Sequence, residues 1–379
     1  MRRALPCHLV ATLILACACA NAAAQIERFN ERETRLFAER GDPEAQFELG
    51  RHLITGSEVA KKDEKEGARW LRKAADQNHL PAQHVLGSLY EEGIGLPKDQ
   101  AKAVEWYRKA ASNGLPMAQH SLGICYDLGK GVTKDAKEAA QWFRNAANQD
   151  FPPAQAAYAS KLERGDGLDK STGKAAQWYL RAAQADYVPA MTRLANMYYT
   201  GTGVPLDYRR TSAWYRRATR AGDPWATNDL AWFLATCPDE SFHDGETSLA
   251  LAKAAVKLIA EETGEQRHEM LDTLAASMAR SGDFLGAVLW QKKSLSLLDE
   301  DKDLDPKDRD KLREEFNSRL KSYQKQEPYT EKEPKAEAGA LPLPADTILQ
   351  EEGVPEQKPR GRQKLKPRPG EGDVVSSMV

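Results

Sequence analysis

His84 and His120 are the first residues of this 379-residue sequence whose type and spacing could support chemistry, since they stand 36 positions apart. Imidazole nitrogens are common zinc ligands, and Glu91 or Asp127 could add a carboxylate. Two histidines alone make a poor metal site, and a regular spacing is also typical of polar residues that line a groove. We therefore interpret both histidines as groove residues and predict no metal and no cofactor.

Cys237 is the second candidate, in the run Ala-Thr-Cys-Pro-Asp. A cysteine nucleophile needs a nearby base, and His243 is close in sequence. The sequence contains no Gly-x-Ser-x-Gly and no His-Glu-x-x-His motif. The four Gly-x-Gly pairs that recur at 36-residue intervals lack the strand and the Lys-Ser/Thr of a phosphate-binding loop. We predict a non-enzymatic protein without catalytic residues, in which Cys125 and Cys237 are free and buried thiols.

A 36-residue repeat must position these side chains. Its markers are tryptophans at 70, 106, 142, 178 and 214, glycine pairs at 93/95, 129/131, 165/167 and 201/203, and alanine pairs that begin at 74, 110, 146 and 182. Self-similarity at such a period indicates a solenoid of stacked units. The tryptophans are therefore interpreted as the core between helices rather than as a strip for stacking carbohydrate.

Each repeat has the pattern of two helices. In the unit 82–117, an apolar stripe predicts a first helix, which Gly93 and Gly95 end because glycine accepts a positive φ. Asp99 then begins a second helix as its N-cap, and Ser171 is expected to cap in the fourth unit. One helix pair cannot bury both apolar faces, but stacked pairs can. We predict an all-α, right-handed α/α superhelical solenoid.

Three motifs recur in order: Ala-x-x-x-Leu-Gly-x-x-Tyr, then Gly-x-Gly, then Ala-x-x-Trp-Tyr/Phe-x-x-Ala-Ala. Together they resemble the Sel-one-like repeat family, which is close kin to the tetratricopeptide repeat. The resemblance covers five units over residues 45–225. Residues 226–300 resemble two tetratricopeptide helix pairs. Residues 25–44 are expected to form an N-terminal capping helix, and residues 301–326 an amphipathic helix that closes the array.

The N-terminal residues 1–24 predict a signal peptide. Arg2 and Arg3 precede an apolar run, and Ala22 and Ala24 fit a cleavage site. The protein is therefore expected to be exported, and periplasmic or secreted. A second interpretation is lipid attachment at Cys17, which would tether the protein to a membrane.

The C-terminal residues 327–379 contain 8 of the 20 prolines and no Trp or Phe, which predicts a disordered tail. Within it, residues 358–368 carry six positive charges and could make a weak contact with an anionic surface such as phospholipid. The whole chain has 54 basic and 56 acidic residues, a net charge of -2, which argues against nucleic acid as a partner.

The resemblance to tetratricopeptide grooves implies that first-helix positions line a concave surface. The candidate groove residues form three rows: Phe47, His84, His120, Thr192 and Asn228; Arg51, Ser88, Ile124, Ser160, Asn196 and Trp232; and Glu91, Asp127, Glu163 and Tyr199. Three acidic residues in the third row suggest a basic or hydrogen-bonding ligand, such as an extended peptide.

Relatives of this family act as adaptors in the cell envelope. The resemblance, together with the missing catalytic motifs, predicts an exported scaffold of the bacterial cell envelope that binds a protein or peptide in its groove. The alternative is an accessory protein associated with polysaccharide or peptidoglycan, with a glycan as ligand. A monomer is expected.

Overall fold

The computed structural model describes residues 30–56, 61–340, 342–343 and 348. The expected signal peptide, Cys17 and the basic cluster 358–368 lie outside these residues. The described part is all-helical, with 16 α-helices, one 3₁₀ helix and no strand. No helix in these ranges combines the length and the apolar character needed to cross a membrane.

The α-helices run from α1 to α16 in chain order. The capping helix and the five repeats contain α1 (Glu31–Glu39), α2 (Pro43–Thr55), α3 (Glu64–Asp76), α4 (Leu80–Glu92), α5 (Gln100–Ser112), α6 (Pro116–Leu128), α7 (Ala136–Ala147), α8 (Pro152–Arg164), α9 (Thr172–Gln184), α10 (Val188–Thr200) and α11 (Tyr208–Arg220). The C-terminal part contains α12 (Pro224–Thr236), the 3₁₀ helix (Glu240–Phe242), α13 (Gly245–Thr263), α14 (His268–Arg280), α15 (Phe284–Glu300) and α16 (Pro306–Gln324).

The local signals act largely as predicted. Gly93 has a φ of 77° and ends α4, while the Asp99 carboxylate accepts a hydrogen bond of 3.0 Å from the backbone N–H of Lys102 at the start of α5. Ser171 lies at the N-cap of α9, but its hydroxyl makes no capping bond. The expectation for Ser171 was therefore wrong, although the helix still begins there.

The second glycine of each pair has a further function, which Gly131 illustrates. Its φ is +65°, and a Cβ atom there would lie 2.2 Å from the backbone oxygen of Gln100. Gln100 is the first residue of α5, so the turn after α6 packs directly on the preceding unit. Glycine is required for the backbone conformation and for this close approach between units.

Each helix packs on its neighbours in sequence, which is the order of a solenoid. The predicted tryptophan core is present in part, since Trp70, Trp106 and Trp214 are buried and Trp142 and Trp178 are half-buried. The Lys109 ammonium group lies 3.9 Å from the Trp106 ring centre. In four of the five repeats, a lysine or arginine three residues after the tryptophan lies over the tryptophan ring in this way. Cys125 and Cys237 are free and buried, as expected.

The closing helix α16 is held to the array by a buried ion pair. The Arg319 Nε donates to the Asp272 carboxylate of α14 at 3.0 Å, and both side chains are 7% exposed. Gln291 of α15 donates to the same carboxylate at 2.8 Å. The buried carboxylate therefore accepts two hydrogen bonds, one of them from its cation, which offsets the cost of burying the charge.

After α16 the chain turns back onto the helices. We call residues 328–340 the docked segment. The segment is extended or irregular, with one turn at 338–339, and it contacts α10, α12 and α14. The ordered array thus extends past the predicted boundary at residue 327. Leu343 and Ile348 also pack against the apolar cluster around α10–α12. The rest of the predicted tail lies outside the described residues.

Candidate functional site

The first row of predicted groove residues lies mostly inside the stack. Phe47, His84 and Asn228 are buried, and His120 and Thr192 are half-buried. The His84 ring nitrogen Nε2 lies 3.0 Å from the Ser121 hydroxyl, which belongs to the first helix of the next unit. For the buried members of this row, the prediction of an open groove surface was wrong, because neighbouring first helices approach closely enough to cover them.

Burial also changes the protonation of the two histidines. Desolvation lowers the pKa of His84 to about 4 and that of His120 to about 4, because the charged imidazolium loses its hydration. His84 packs against the Tyr107 ring, and His120 against the rings of Phe143 and Phe151. Among the described residues, no group of three or more His, Cys, Asp or Glu side chains is placed to hold a metal ion.

The second row is more accessible, since its residues are half-buried. The Ser88 hydroxyl lies 3.1 Å from the Tyr107 hydroxyl, and the Tyr215 hydroxyl donates to Asn196 at 2.6 Å. These tyrosines come from the second helix of the same unit. They orient the Ser88 hydroxyl and the Asn196 amide of the row. The remaining members of the row are also half-buried: Arg51, Ile124, Ser160 and Trp232.

The acidic third row forms ion pairs between units. Lys130 donates to Glu91 at 2.9 Å, and the buried Lys161 donates to Asp127 at 2.5 Å. In the same way, the Arg193 guanidinium binds Glu163. Each base comes from the unit that follows its acid. The row therefore offers little unpaired negative charge, and it does not support the expectation of a basic ligand.

Tyr199 ends this row without a carboxylate of its own. Its hydroxyl donates to the carboxylate of Glu331 in the docked segment. Trp232 Nε1 donates to the other oxygen of Glu331 at 3.0 Å. Burial and the nearby Glu331 charge raise the pKa of Tyr199 well above its ordinary value, so its proton stays available for this bond.

A second carboxylate, that of Glu337, is held at the turn after α10. It accepts bonds from the Gly203 N–H at 2.7 Å and the Thr172 hydroxyl at 2.8 Å. The backbone N–H of Glu337 donates to the Gly201 carbonyl at 2.9 Å, and that of Glu331 donates to the Thr236 carbonyl at 2.7 Å. Both carbonyls lie at the end of a first helix, where the backbone has no helical partner.

Two arginines complete the contact with the docked segment. Arg280, the last residue of α14, donates to the Tyr329 carbonyl and the Thr330 hydroxyl, each at 2.8 Å. The Arg319 guanidinium lies 5.3 Å from the Tyr329 ring centre and 5.2 Å from the Trp232 ring. We call this surface, formed by the C-terminal ends of α10, α12 and α14, the rim.

Sequence reasoning placed Tyr199 and Trp232 on a binding surface but missed Glu331, Glu337 and Arg280. The one available signal was Tyr329, the only aromatic residue after position 327. A single aromatic residue in a Pro-rich stretch is weak evidence for a contact. The two glutamates had no signal, since glutamate is also common in disordered segments.

The geometry around Cys237 does not form a nucleophile–base pair. His243 Nε2 lies 2.7 Å from the Cys237 carbonyl oxygen, so the ring bonds to the backbone. The thiol is fully buried, and burial raises its pKa to about 12. A thiolate, the reactive form, is therefore strongly disfavoured.

Comparison with known proteins assigns the repeat. A family model for the Sel1 repeat matches residues 43–79, 80–115, 116–151, 152–187 and 188–223. No curated protein sequence matches the chain. One similar crystal structure is that of c5321, a protective antigen present in uropathogenic Escherichia coli strains that displays an SLR fold, with 32% identity and a TM-score of 0.62. The match covers 72% of this chain and 58% of that structure.

A second similar structure is that of a Sel1 repeat protein from Oxalobacter formigenes, with 30% identity and a TM-score of 0.52. The match covers 57% of this chain and 86% of that one. The five matched units agree with the repeats predicted over 45–225. Because this relative is covered over most of its length and the repeats match one by one, the chain belongs to the Sel1 repeat family.

Proposed function

We propose that the protein is an exported scaffold of the bacterial cell envelope that binds a segment of another protein along the ends of its first helices. Sel1 repeat proteins are generally scaffolds for protein interactions. One observation carries the proposal for this chain: the rim holds a polypeptide segment, residues 328–340, through main-chain hydrogen bonds and specific side-chain contacts.

The N-terminal half of the array supports the same function. The last residues of three of its first helices are exposed: Glu92, Leu128 and Arg164. Leu128 ends α6 and stands 72 positions before Thr200, the last residue of α10, which is two repeats further on. Its side chain is 50% exposed and is therefore accessible to another molecule. An exposed apolar side chain beside paired acidic residues suits contact with a partner protein.

Two observations weigh against other functions. The tryptophans of the repeat are largely buried and mostly lie under basic side chains, so they offer little open face on which a sugar could stack. The Cys237 thiol is buried, and the His243 ring bonds to the Cys237 backbone carbonyl. The first observation weighs against the polysaccharide-associated alternative, and the second weighs against catalysis at Cys237.

Export is part of this proposal and rests on the N-terminal sequence. Analysis of the N-terminus of the protein isolated from its native host distinguishes the forms. A chain that starts at Gln25 in the periplasm or medium is expected. A lipid-modified Cys17 would indicate a membrane-tethered scaffold, and an intact N-terminus in the cytoplasm would contradict export.

Binding can be tested by photo-crosslinking in cells. A photoreactive residue at Leu128 is expected to give a discrete adduct with one protein. The matched control is Leu289 on α15, the second helix of its pair, whose side chain is 68% exposed. An adduct at Leu128 that is absent at Leu289 would support the scaffold. No protein adduct from Leu128 would contradict it.

A further inference from the structure

The rim and the docked segment contact each other in the manner of a receptor and a peptide. Two main-chain N–H groups of the segment donate to carbonyls at the ends of α10 and α12. Two carboxylates, Glu331 and Glu337, are each held by two donors of the array. The segment therefore uses main-chain bonds for attachment and acidic side chains at a fixed spacing for position.

We propose that the rim is a binding site for an extended peptide with two carboxylates six residues apart, and that the docked segment is its intramolecular competitor. This inference rests on the proposed scaffold function and adds the chemistry of the partner. An acidic partner segment replaces residues 328–340, and the helices themselves need not move.

The donors of the rim favour carboxylates over other groups. Tyr199, Trp232 and the Gly203 N–H each present a hydrogen toward the segment, and Arg280 adds positive charge beside them. An indole N–H and a main-chain N–H can only donate, so a basic side chain would leave them unpaired. Bonds from such donors to an ionised acceptor are stronger than those between neutral groups.

The docked segment can leave the rim without unfolding the array. Residues 332, 333 and 335–339 are exposed, and the segment contributes few buried side chains. Segments of this kind open at low free-energy cost. Its two flanks are nevertheless held, by α16 on one side and by Leu343 and Ile348 on the other. This attachment gives the segment a high effective concentration, so a free peptide competes poorly with it.

The test measures binding of a fluorescent peptide of residues 328–340 to the full-length chain by anisotropy. In the variant Glu331→Ala/Glu337→Ala the internal segment loses both carboxylates. We expect this variant to bind the peptide at least tenfold more tightly than the natural chain. The control Glu327→Ala/Glu333→Ala removes the same charge from neighbouring glutamates for which no rim contact is seen, and it is expected to behave like the natural chain.

Two further variants locate the site. The peptide with E331Q and E337Q is expected to bind at least tenfold more weakly. Adding Tyr199→Phe to the double variant removes one donor with little change of shape and is expected to weaken binding several-fold. Equal binding by the natural chain and the double variant, no binding by the double variant, or no effect of the two glutamines would each overturn the proposal.

Hydrogen exchange on the natural chain gives a readout that does not depend on the folding of a variant. At peptide concentrations that saturate the anisotropy signal of the natural chain, exchange of the Glu331 and Glu337 amides is expected to speed up, and unchanged exchange at saturation would overturn the proposal. Failure of this inference can be distinguished from failure of the proposed scaffold function. An adduct from Leu128 in cells together with failure of the peptide experiments refutes the acidic competitor and leaves the scaffold standing.

Discussion

His84 illustrates what burial does to a single residue. Its side chain is 2% exposed and lies between α4 and α6, where the ring contacts Tyr107 and Ser121. The pKa falls from the ordinary 6.5 to about 4, because the folded protein disfavours the charged ring. The residue is thus part of the inter-unit core and contributes a pH dependence to stability.

This pH dependence has a definite sign. As the pH falls through 6.5 the unfolded chain binds a proton at His84, whereas the folded chain binds it only near pH 4. The contribution is therefore complete above pH 6.5 and is lost between 6.5 and about 4, by up to roughly 3 kcal/mol. We expect His84→Gln to lose correspondingly less unfolding free energy between pH 7 and 4, as measured by urea titration. Equal losses in the two proteins would contradict this account.

At the scale of elements, the turns between helices decide how the units stack. The second glycine of a pair, such as Gly131, combines a positive φ with backbone contact to the preceding unit. Gly114, in the turn between α5 and α6, also has a positive φ, of +89°, but a Cβ atom placed there would meet no other atom within 4 Å. The two glycines therefore separate backbone strain from packing between units.

Alanine substitution at these two positions tests the distinction. Gly114→Ala is expected to cost about 1 kcal/mol of unfolding free energy, the strain of a left-handed alanine. Gly131→Ala adds an overlap with the Gln100 backbone and is expected to cost at least about 2 kcal/mol more. Thermal and urea unfolding of both variants measure the difference. Equal costs would show that the contact between units contributes little.

At the scale of the whole molecule, the array is a chain of neighbouring units, each linked to the next by side chains such as Lys161. This lysine is 1% exposed and bridges Asp127 on α6 and Asp166 after α8. Because units contact mainly their neighbours, a local defect should have local consequences. The same property would let the docked segment leave the rim without disturbing distant helices.

Lys161→Met tests this locality. It removes the buried ammonium group that both Asp127 and Asp166 bind, at a cost of roughly 3 kcal/mol. Amide exchange in α6 and α8 is expected to accelerate by roughly two orders of magnitude, while exchange in α14 and α15 stays unchanged. The control Lys130→Met removes a lysine that is 42% exposed and is expected to cost less than about 1 kcal/mol. Uniform acceleration over all helices would indicate one cooperative core instead.

The sequence by itself determined the helix pairs, their 36-residue interval and their stacking, because apolar stripes, glycine turns and aspartate caps act within a few residues. Only the tertiary structure decided which polar residues are paired and what covers the rim. Burial of His84 and the pairing of Glu91 depend on the next unit. Glu331 bonds Trp232 from 99 positions away, and Glu337 bonds Thr172 from 165 away. Such contacts leave no periodic trace in the sequence, since each is made once, by a segment that folds back after α16.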